Sequence, residues 1–268
     1  MMKVLKNNSL GYLILFALLL SGCSTRVAAP PDRTAPVGEV ERDGATQTAH
    51  QNGPLPYLLY LPAGADKKEG LPLILYLHSK SLRGNDLEML KQFGLAALLE
   101  KQLSIPFIVV SPQCPGDKMW VDEEDALLKL IEQVATSHAV DRSRIYVTGH
   151  SMGARGTWFL ASRHPEKFAA IVPMADGPVD MAWAGKLKNV PIWTFHGTAD
   201  DLAPFDQTDQ FVKELKRVGA DVRFTPLPGM DHFILDEYGN KEIYDWLLQH
   251  KRVQGTGTSS EPAGAKVQ

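Results

Sequence analysis

Short apolar runs alternate with longer amphipathic segments along most of this chain. The runs have the length of buried strands and cover residues 57–61, 71–77, 106–110, 145–147, 168–172, 190–195 and 222–224. The longer segments carry apolar residues at helical spacing, at residues 86–101, 123–139, 154–162, 207–218 and 241–250. This alternation predicts an α/β fold with a mostly parallel sheet and helices on both faces. Ligands of such sheets bind beyond the carboxyl ends of the strands.

The run 145–147 leads directly into Gly149-His150-Ser151-Met152-Gly153. A strand, a serine flanked by two glycines and a helix-compatible run form the G-x-S-x-G pattern in its structural context. Such a turn is strained and presents the serine hydroxyl at the top of a sheet. Side chains at the glycine positions would collide with neighbouring backbone. We expect Ser151 to be a nucleophile; the alternative is a glycine-rich turn whose serine faces solvent.

A carboxylate and a histidine follow at the ends of two later strands. Asp200 lies in the loop after the run 190–195, and His232 lies in the loop after the last run. Because a nucleophilic serine needs a base and the base needs an orienting carboxylate, this order predicts a triad of Ser151, Asp200 and His232. Asp201 is the alternative carboxylate, since sequence does not fix the register of a loop. Three other histidines lie nearby. We expect His78 to brace the oxyanion loop, His196 to pack or to hydrogen-bond locally, and the side chain of His150 to point away from the position of the base.

With these motifs, the chain resembles the α/β-hydrolase superfamily, and within it the carboxylesterase, phospholipase and dienelactone-hydrolase-like group of esterases and peptidases. The matching segments are residues 75–78, 83–86, 110–115, 144–153, 156–158 and 195–201, together with the His232 loop. The resemblance implies a serine hydrolase that cleaves carboxylic esters through an acyl-enzyme, without a cofactor. The expected partner is a small-molecule or polysaccharide-linked ester. Residues 174–188 leave room for only a small lid.

The resemblance also implies an oxyanion hole formed by the backbone N–H groups of Met152 and Lys80. The family's oxyanion strand ends in His-Gly, whereas this chain has His78-Ser79. If glycine is needed there for its backbone angles, Ser79 should disturb the hole. Trp120 is a candidate for the pocket wall, with packing in the core as the alternative. Two other functions stay open: a serine peptidase, and a catalytically impaired hydrolase fold that acts as a binding lipoprotein.

The first residues carry a second signal. Lys3 and Lys6 precede an apolar stretch, residues 10–20, which is too short to span a membrane and is followed closely by Cys23. This ending resembles a bacterial lipobox, which implies that Cys23 becomes the lipidated first residue; the alternative is an ordinary signal peptide. By resemblance to Gram-negative lipoproteins, Ser24 favours the outer membrane, with the protein facing the periplasm or the cell surface. The lipid would anchor an otherwise water-exposed domain.

Composition predicts four segments. Residues 1–22 are a lipoprotein signal peptide. Residues 23–53 are the lipidated cysteine and a flexible tether that is rich in proline, alanine and threonine. Residues 54–252 are the α/β-hydrolase domain, and residues 253–268 are a disordered tail.

Charge and cysteine usage exclude several classes of function. The net charge of −3, with no strongly basic segment, argues against a nucleic-acid partner. There are two cysteines, and with Cys23 lipidated, Cys114 has no partner for a disulfide. The chain contains neither C-x-x-C nor H-E-x-x-H, so we expect no metal and no cofactor.

Overall fold

The computed structural model describes residues 44–68, 70–101, 103–178 and 180–252. Eight strands lie within these residues: β1 (Thr46–His50), β2 (Tyr57–Leu61), β3 (Leu71–Leu77), β4 (Ile108–Pro112), β5 (Val140–His150), β6 (Ala170–Met174), β7 (Ile192–Gly197) and β8 (Val222–Leu227). They form one sheet in the order β1-β2-β4-β3-β5-β6-β7-β8. The pairs β1–β2 and β2–β4 are antiparallel, and the other pairs are parallel. The predicted mostly parallel α/β sheet is therefore confirmed.

Helices cover both faces of this sheet. They are α1 (Gly94–Lys101), α2 (Glu124–Ser137), α3 (Met152–Arg163), the short α4 (Trp183–Lys186), α5 (Phe205–Arg217) and α6 (Lys241–Gln249). Side chains of β3 alternate between two apolar cores because successive residues of a strand point to opposite faces. Leu73, Leu75 and Leu77 join a core with α2, α3, α4 and α5. Ile74 and Tyr76 join a core with α1 and α6.

The sheet begins earlier in the chain than the sequence predicts. β1 lies within residues 23–53, which composition assigns to a flexible tether, so that boundary is corrected to place Thr46–His50 in the domain. The side chains of β1 are exposed or only half-buried. Edge pairing uses backbone groups, and it therefore leaves no apolar pattern in the sequence.

The helix predicted over residues 86–101 is interrupted. A 3₁₀ helix covers Leu87–Gln92, and α1 starts at Gly94. Gly94 has φ 65°, and a Cβ there would overlap the hydroxyl of Tyr76. A left-handed residue packed against an aromatic ring breaks the helical path, although the apolar spacing continues through it.

The predicted signal peptide, Cys23 and the predicted C-terminal tail all lie outside the described residues. No helix in the described part of the chain is long and apolar enough to cross a membrane. Among the same residues, no group of three or more His, Cys, Asp or Glu side chains is placed to hold a metal ion. Among the described residues between β6 and β7, α4 is the one helix, so a lid formed by this segment over the carboxyl ends of the strands is small, as predicted.

Candidate active site

Ser151 occupies a strained turn between β5 and α3. Its backbone has φ 57° and ψ −122°, a region that non-glycine residues rarely adopt. A Cβ at Gly149 would overlap the backbone carbonyl of Gly153, and a Cβ at Gly153 would overlap the carbonyl oxygen of Leu77. Close backbone approach therefore explains both glycines of the motif, as the sequence indicates.

The three predicted triad residues are connected by hydrogen bonds. Ser151 Oγ lies 2.8 Å from His232 Nε2, and His232 Nδ1 lies 2.8 Å from Asp200 Oδ2. His232 and Asp200 are buried, whereas Asp201 is exposed. The carboxylate that contacts the histidine is therefore that of Asp200, and the alternative Asp201 lies outside the array. Each of the three residues stands beyond the carboxyl end of a parallel strand, where ligands bind in such sheets.

The loop after β7 holds Asp200 as an anion. Its Oδ1 accepts the backbone N–H groups of Leu202 at 2.9 Å and Ala203 at 2.8 Å. Burial by itself raises the pKa of Asp200, but the hydrogen bonds from Ala203, His232 and Leu202 outweigh it and hold the pKa below its usual value. An ionised carboxylate in this position stabilises the charged form of the imidazole beside it.

His78 braces the loop that follows β3. Its Nδ1 lies 2.7 Å from the Ser79 carbonyl oxygen and its Nε2 lies 3.0 Å from the Cys114 nitrogen, so Nδ1–H donates and Nε2 accepts. Burial lowers the pKa of His78 to about 4, which keeps the ring neutral. This is the bracing role that the sequence indicates.

Trp120 lies in the core and not in the cavity wall, which corrects its candidacy as a substrate-binding residue. It is 1% exposed, and its indole N–H donates to the His78 carbonyl oxygen at 2.9 Å. Its ring packs edge-on against His78. The sequence does not distinguish an apolar residue that faces the ligand from one that supports the loop behind the site. Here the indole supports the loop of His78.

Serine is compatible with the backbone at position 79. Ser79 has φ −74° and ψ 165°, extended angles that any residue adopts, so the expected conflict with a glycine-specific conformation is wrong. Lys80 starts a single 3₁₀ turn, and Met152 starts α3. The first N–H groups of a helix have no acceptor within it. Both residues line the same cavity as Ser151. Neither N–H therefore has an acceptor within its own helix, which is compatible with the expected oxyanion hole.

The cavity over Ser151 has a volume of about 640 Å³. Its apolar wall is formed by Phe93, Met119, Leu202, Phe233 and Leu235. Leu202 is 65% exposed and Phe233 is 66% exposed. Phe233 directly follows His232 in the sequence, and Leu202 lies two residues after Asp200. Exposed apolar side chains around a concave site are typical of a surface that binds an apolar ligand.

One ion pair also lines this cavity, and sequence reasoning missed it. Arg155 Nη2 donates to Asp176 Oδ1 at 3.3 Å and lies 3.0 Å from Asp176 Oδ2. Asp176 is buried, and burial raises its pKa despite the neighbouring guanidinium. Arg155 lies four residues after Ser151, which is about one helical turn. This spacing is the sequence signal that could have indicated Arg155 as a residue of the site. Asp176 belongs to none of the sequence motifs, and only the fold brings it close to Arg155.

Two further histidines contact the array. His150 Nε2 lies 2.7 Å from the carbonyl oxygen of His232 and therefore donates to it. Burial lowers the pKa of His150 to about 4. His196 Nε2 lies 3.1 Å from Asp200 Oδ2. The prediction that the side chain of His150 points away from the base is wrong, because its ring centroid lies 5.0 Å from that of His232. For His196 the sequence predicts packing or a local hydrogen bond, but it does not show that the partner is Asp200.

A mostly parallel eight-stranded sheet with a strained serine turn and a Ser-His-Asp array is the arrangement of the α/β-hydrolase fold, and the chain has that fold. The model of the dienelactone hydrolase family matches residues 116–245. A crystal structure of a thermostable esterase is similar with a TM-score of 0.66 and 27% identity, covering 79% of this chain and 64% of that one.

Curated relatives match parts of the chain. The bifunctional acetylxylan esterase/xylanase XynS20E of Neocallimastix patriciarum is 28% identical over 57% of this chain and 22% of its own length. The protein named "Probable feruloyl esterase C" of Aspergillus terreus is 28% identical over 62% of this chain and 64% of its own. The chain thus spans less than two thirds of either relative.

Proposed function

We propose that this protein is a serine hydrolase that cleaves carboxylic esters through an acyl-enzyme. The observation that carries the proposal is the hydrogen-bonded array from Ser151 through His232 to Asp200, which opens into the cavity. The similarity to esterases supports the ester as the bond that is cleaved. The similarity to an acetylxylan esterase and to a protein named as a feruloyl esterase supports a small-molecule or polysaccharide-linked ester as the substrate.

In the proposed mechanism, Ser151 Oγ attacks the ester carbonyl carbon while His232 Nε2 takes its proton. The backbone N–H groups of Met152 and Lys80 stabilise the oxyanion. The tetrahedral intermediate then expels the alcohol, which takes the proton from His232 and leaves an acyl group on Ser151. Water attacks this acyl-enzyme with His232 as base, and the carboxylic acid leaves. Asp200 holds the imidazole in the tautomer that both steps need.

The test is hydrolysis of p-nitrophenyl esters, from acetyl to longer chains, by the full chain and its Ser151→Ala variant. Loss of the nucleophile should lower kcat by about 10³-fold or more. The matched control is Ser137→Ala, because Ser137 is an exposed serine on α2 outside the cavity. Activity in Ser151→Ala above about a thousandth of the wild-type value would reject Ser151 as the nucleophile.

Peptide hydrolysis and ligand binding are the competing outcomes of this experiment. An ester and an amide with the same acyl group separate an esterase from a peptidase, because an alcohol leaves with less help from the general acid than an amine does. A fluorophosphonate probe should label Ser151. Folded protein that neither cleaves any ester or amide nor takes up the probe would instead support an impaired hydrolase fold that binds a ligand.

We further propose that Cys23 is lipidated and anchors the protein to a bacterial membrane, with the outer membrane favoured by Ser24. The support is the short apolar segment that precedes Cys23 in the sequence. Cys23→Ala should move the protein from the membrane fraction to the soluble fraction, and mass spectrometry of the wild-type N-terminus should show an acylated cysteine. An unmodified N-terminus in the membrane fraction would contradict the anchor.

A further inference from the structure

His196 makes hydrogen bonds through both ring nitrogens and is fully buried. Its Nε2 lies 3.1 Å from Asp200 Oδ2 and 3.0 Å from the carbonyl oxygen of Ala203. Its Nδ1 lies 2.8 Å from the hydroxyl of Thr208 on α5. His196 does not line the cavity, so its contacts with the site run through Asp200 and through the backbone of Ala203.

These partners assign the tautomer of His196. Nε2 faces two oxygen acceptors and must carry the proton, whereas Nδ1 has no proton and accepts from the Thr208 hydroxyl. The ring therefore donates Nε2–H to Asp200. The two acceptors at Nε2 select this tautomer, because the opposite one would place the Nε2 lone pair against the Asp200 carboxylate, and the Thr208 hydroxyl completes it by donating to Nδ1.

Asp200 Oδ2 is thus shared by two imidazoles. His232 approaches it at 2.8 Å and His196 at 3.1 Å, while Oδ1 accepts two backbone N–H groups. The hydrogen bond from His196 fixes Asp200 Oδ2 in its position opposite His232. It also draws electron density from Oδ2, which makes the carboxylate a weaker acceptor for the His232 proton.

We propose that His196 is a positioning residue of the catalytic array, which holds Asp200 Oδ2 opposite His232 and limits how strongly Asp200 stabilises the protonated imidazole. The proposal rests on the proposed serine hydrolase function. The other charged or titratable groups around the array are His150, 5.0 Å from the His232 ring between centroids, and the ion pair of Arg155 with Asp176. None of these three is a hydrogen-bond donor to Asp200.

The decisive variants are His196→Leu, which removes the donor, and His196→Gln, whose side-chain amide can replace Nε2–H. Without the donor, the pKa of Asp200 rises and its bond to His232 strengthens. We expect kcat for a p-nitrophenyl ester to fall about 10-fold or more through lost orientation. KM should stay unchanged, and the acid limb of the kcat/KM profile should move to higher pH. His196→Gln should restore most of kcat and return the acid limb towards its wild-type position.

A spectroscopic measurement separates this role from general support of the fold. The far-downfield proton resonance of His232 Nδ1–H reports its bond to Asp200, and it should move further downfield in His196→Leu. It requires no turnover, so it tests the proposal even if the chain cleaves no ester. The matched control is His164→Gln, because His164 lies at the end of α3 and bonds Glu124 instead of the array. This control should leave the resonance and the acid limb unchanged.

Thr208→Val provides a second route if His196→Leu does not fold. It keeps the shape of the side chain but removes the hydroxyl that holds Nδ1 and thereby aims Nε2–H at Asp200, so the resonance and the acid limb should shift in the same direction by a smaller amount. A folded His196→Leu with the wild-type resonance, kcat and acid limb would overturn the proposal. An unchanged Thr208→Val would overturn it where the leucine variant cannot be purified.

Discussion

Gly153 lies so close to Leu77 that a side chain at Gly153 would overlap the Leu77 carbonyl oxygen. Leu77 ends β3, immediately before the loop of Lys80, and Gly153 is the second residue of α3, next to Met152. One close backbone contact therefore sets the separation of the two N–H groups that are expected to hold the oxyanion.

Gly153→Ala should lower both stability and activity. The added methyl group forces β3 and α3 apart, which typically costs about 1–3 kcal/mol and sometimes more. The shift also moves the expected oxyanion donors. Urea unfolding and kcat/KM of a short ester measure the two effects. Gly185→Ala is the matched control, since a Cβ at Gly185 in α4 meets nothing within 4 Å. If Gly153→Ala had the wild-type free energy of unfolding and the wild-type kcat/KM, the close contact between Gly153 and Leu77 would be contradicted.

Ser79→Gly should not raise the activity. Ser79 already has extended angles, so the native loop does not need a conformation that only glycine can adopt. The greater freedom of glycine in the unfolded chain should lower the free energy of unfolding by about 0.4–1 kcal/mol. Steady-state kinetics and urea unfolding test both statements. An increase in kcat of about 10²-fold would mean that the serine does disturb the oxyanion hole.

Stability should fall as the pH drops from about 6.5 towards 4. Burial lowers the pKa of His78 and of His150 to about 4, so the unfolded chain binds protons in this window that the native protein excludes. The free energy of unfolding therefore rises with pH, by up to about 1.4 kcal/mol per pH unit for each histidine.

Urea unfolding at several pH values between 4 and 7 measures this slope. His78→Gln removes one of the two contributions and should lower the slope over the same window. His150→Gln provides an independent second measurement, because His78 lies in the loop after β3 whereas His150 ends β5. A wild-type slope that is unchanged in both variants would show that other groups cause it.

Phe233→Ala should weaken the binding of long or aromatic ester groups. The ring is 66% exposed at the cavity, so its removal should not change the melting temperature, whereas the loss of its contact with an apolar substrate should cost up to about tenfold in kcat/KM. The acetyl ester should be affected less. Leu248→Ala on α6 is the control for an exposed apolar residue outside the cavity. Equal losses for short and long esters would contradict this role.

The strand and helix pattern was largely predictable because buried strands and amphipathic helices leave apolar spacing in the sequence. Strand β1 was not predictable, because pairing at the sheet edge through backbone groups leaves no apolar spacing in the sequence. The break at Gly94 was also missed, because it depends on Tyr76, which lies in a different element.

At the site, Ser151, Asp200 and His232 could be predicted from residue order, because the strained turn and the loops after parallel strands require particular residue types in a particular order. The folded structure was needed to choose between Asp200 and Asp201 and to place Trp120 in the core. It was also needed to find the contacts of Arg155 with Asp176 and of His196 with Asp200. These relationships are distances between groups on different elements. Strand order and loop register set such distances, and neither is encoded in local residue spacing.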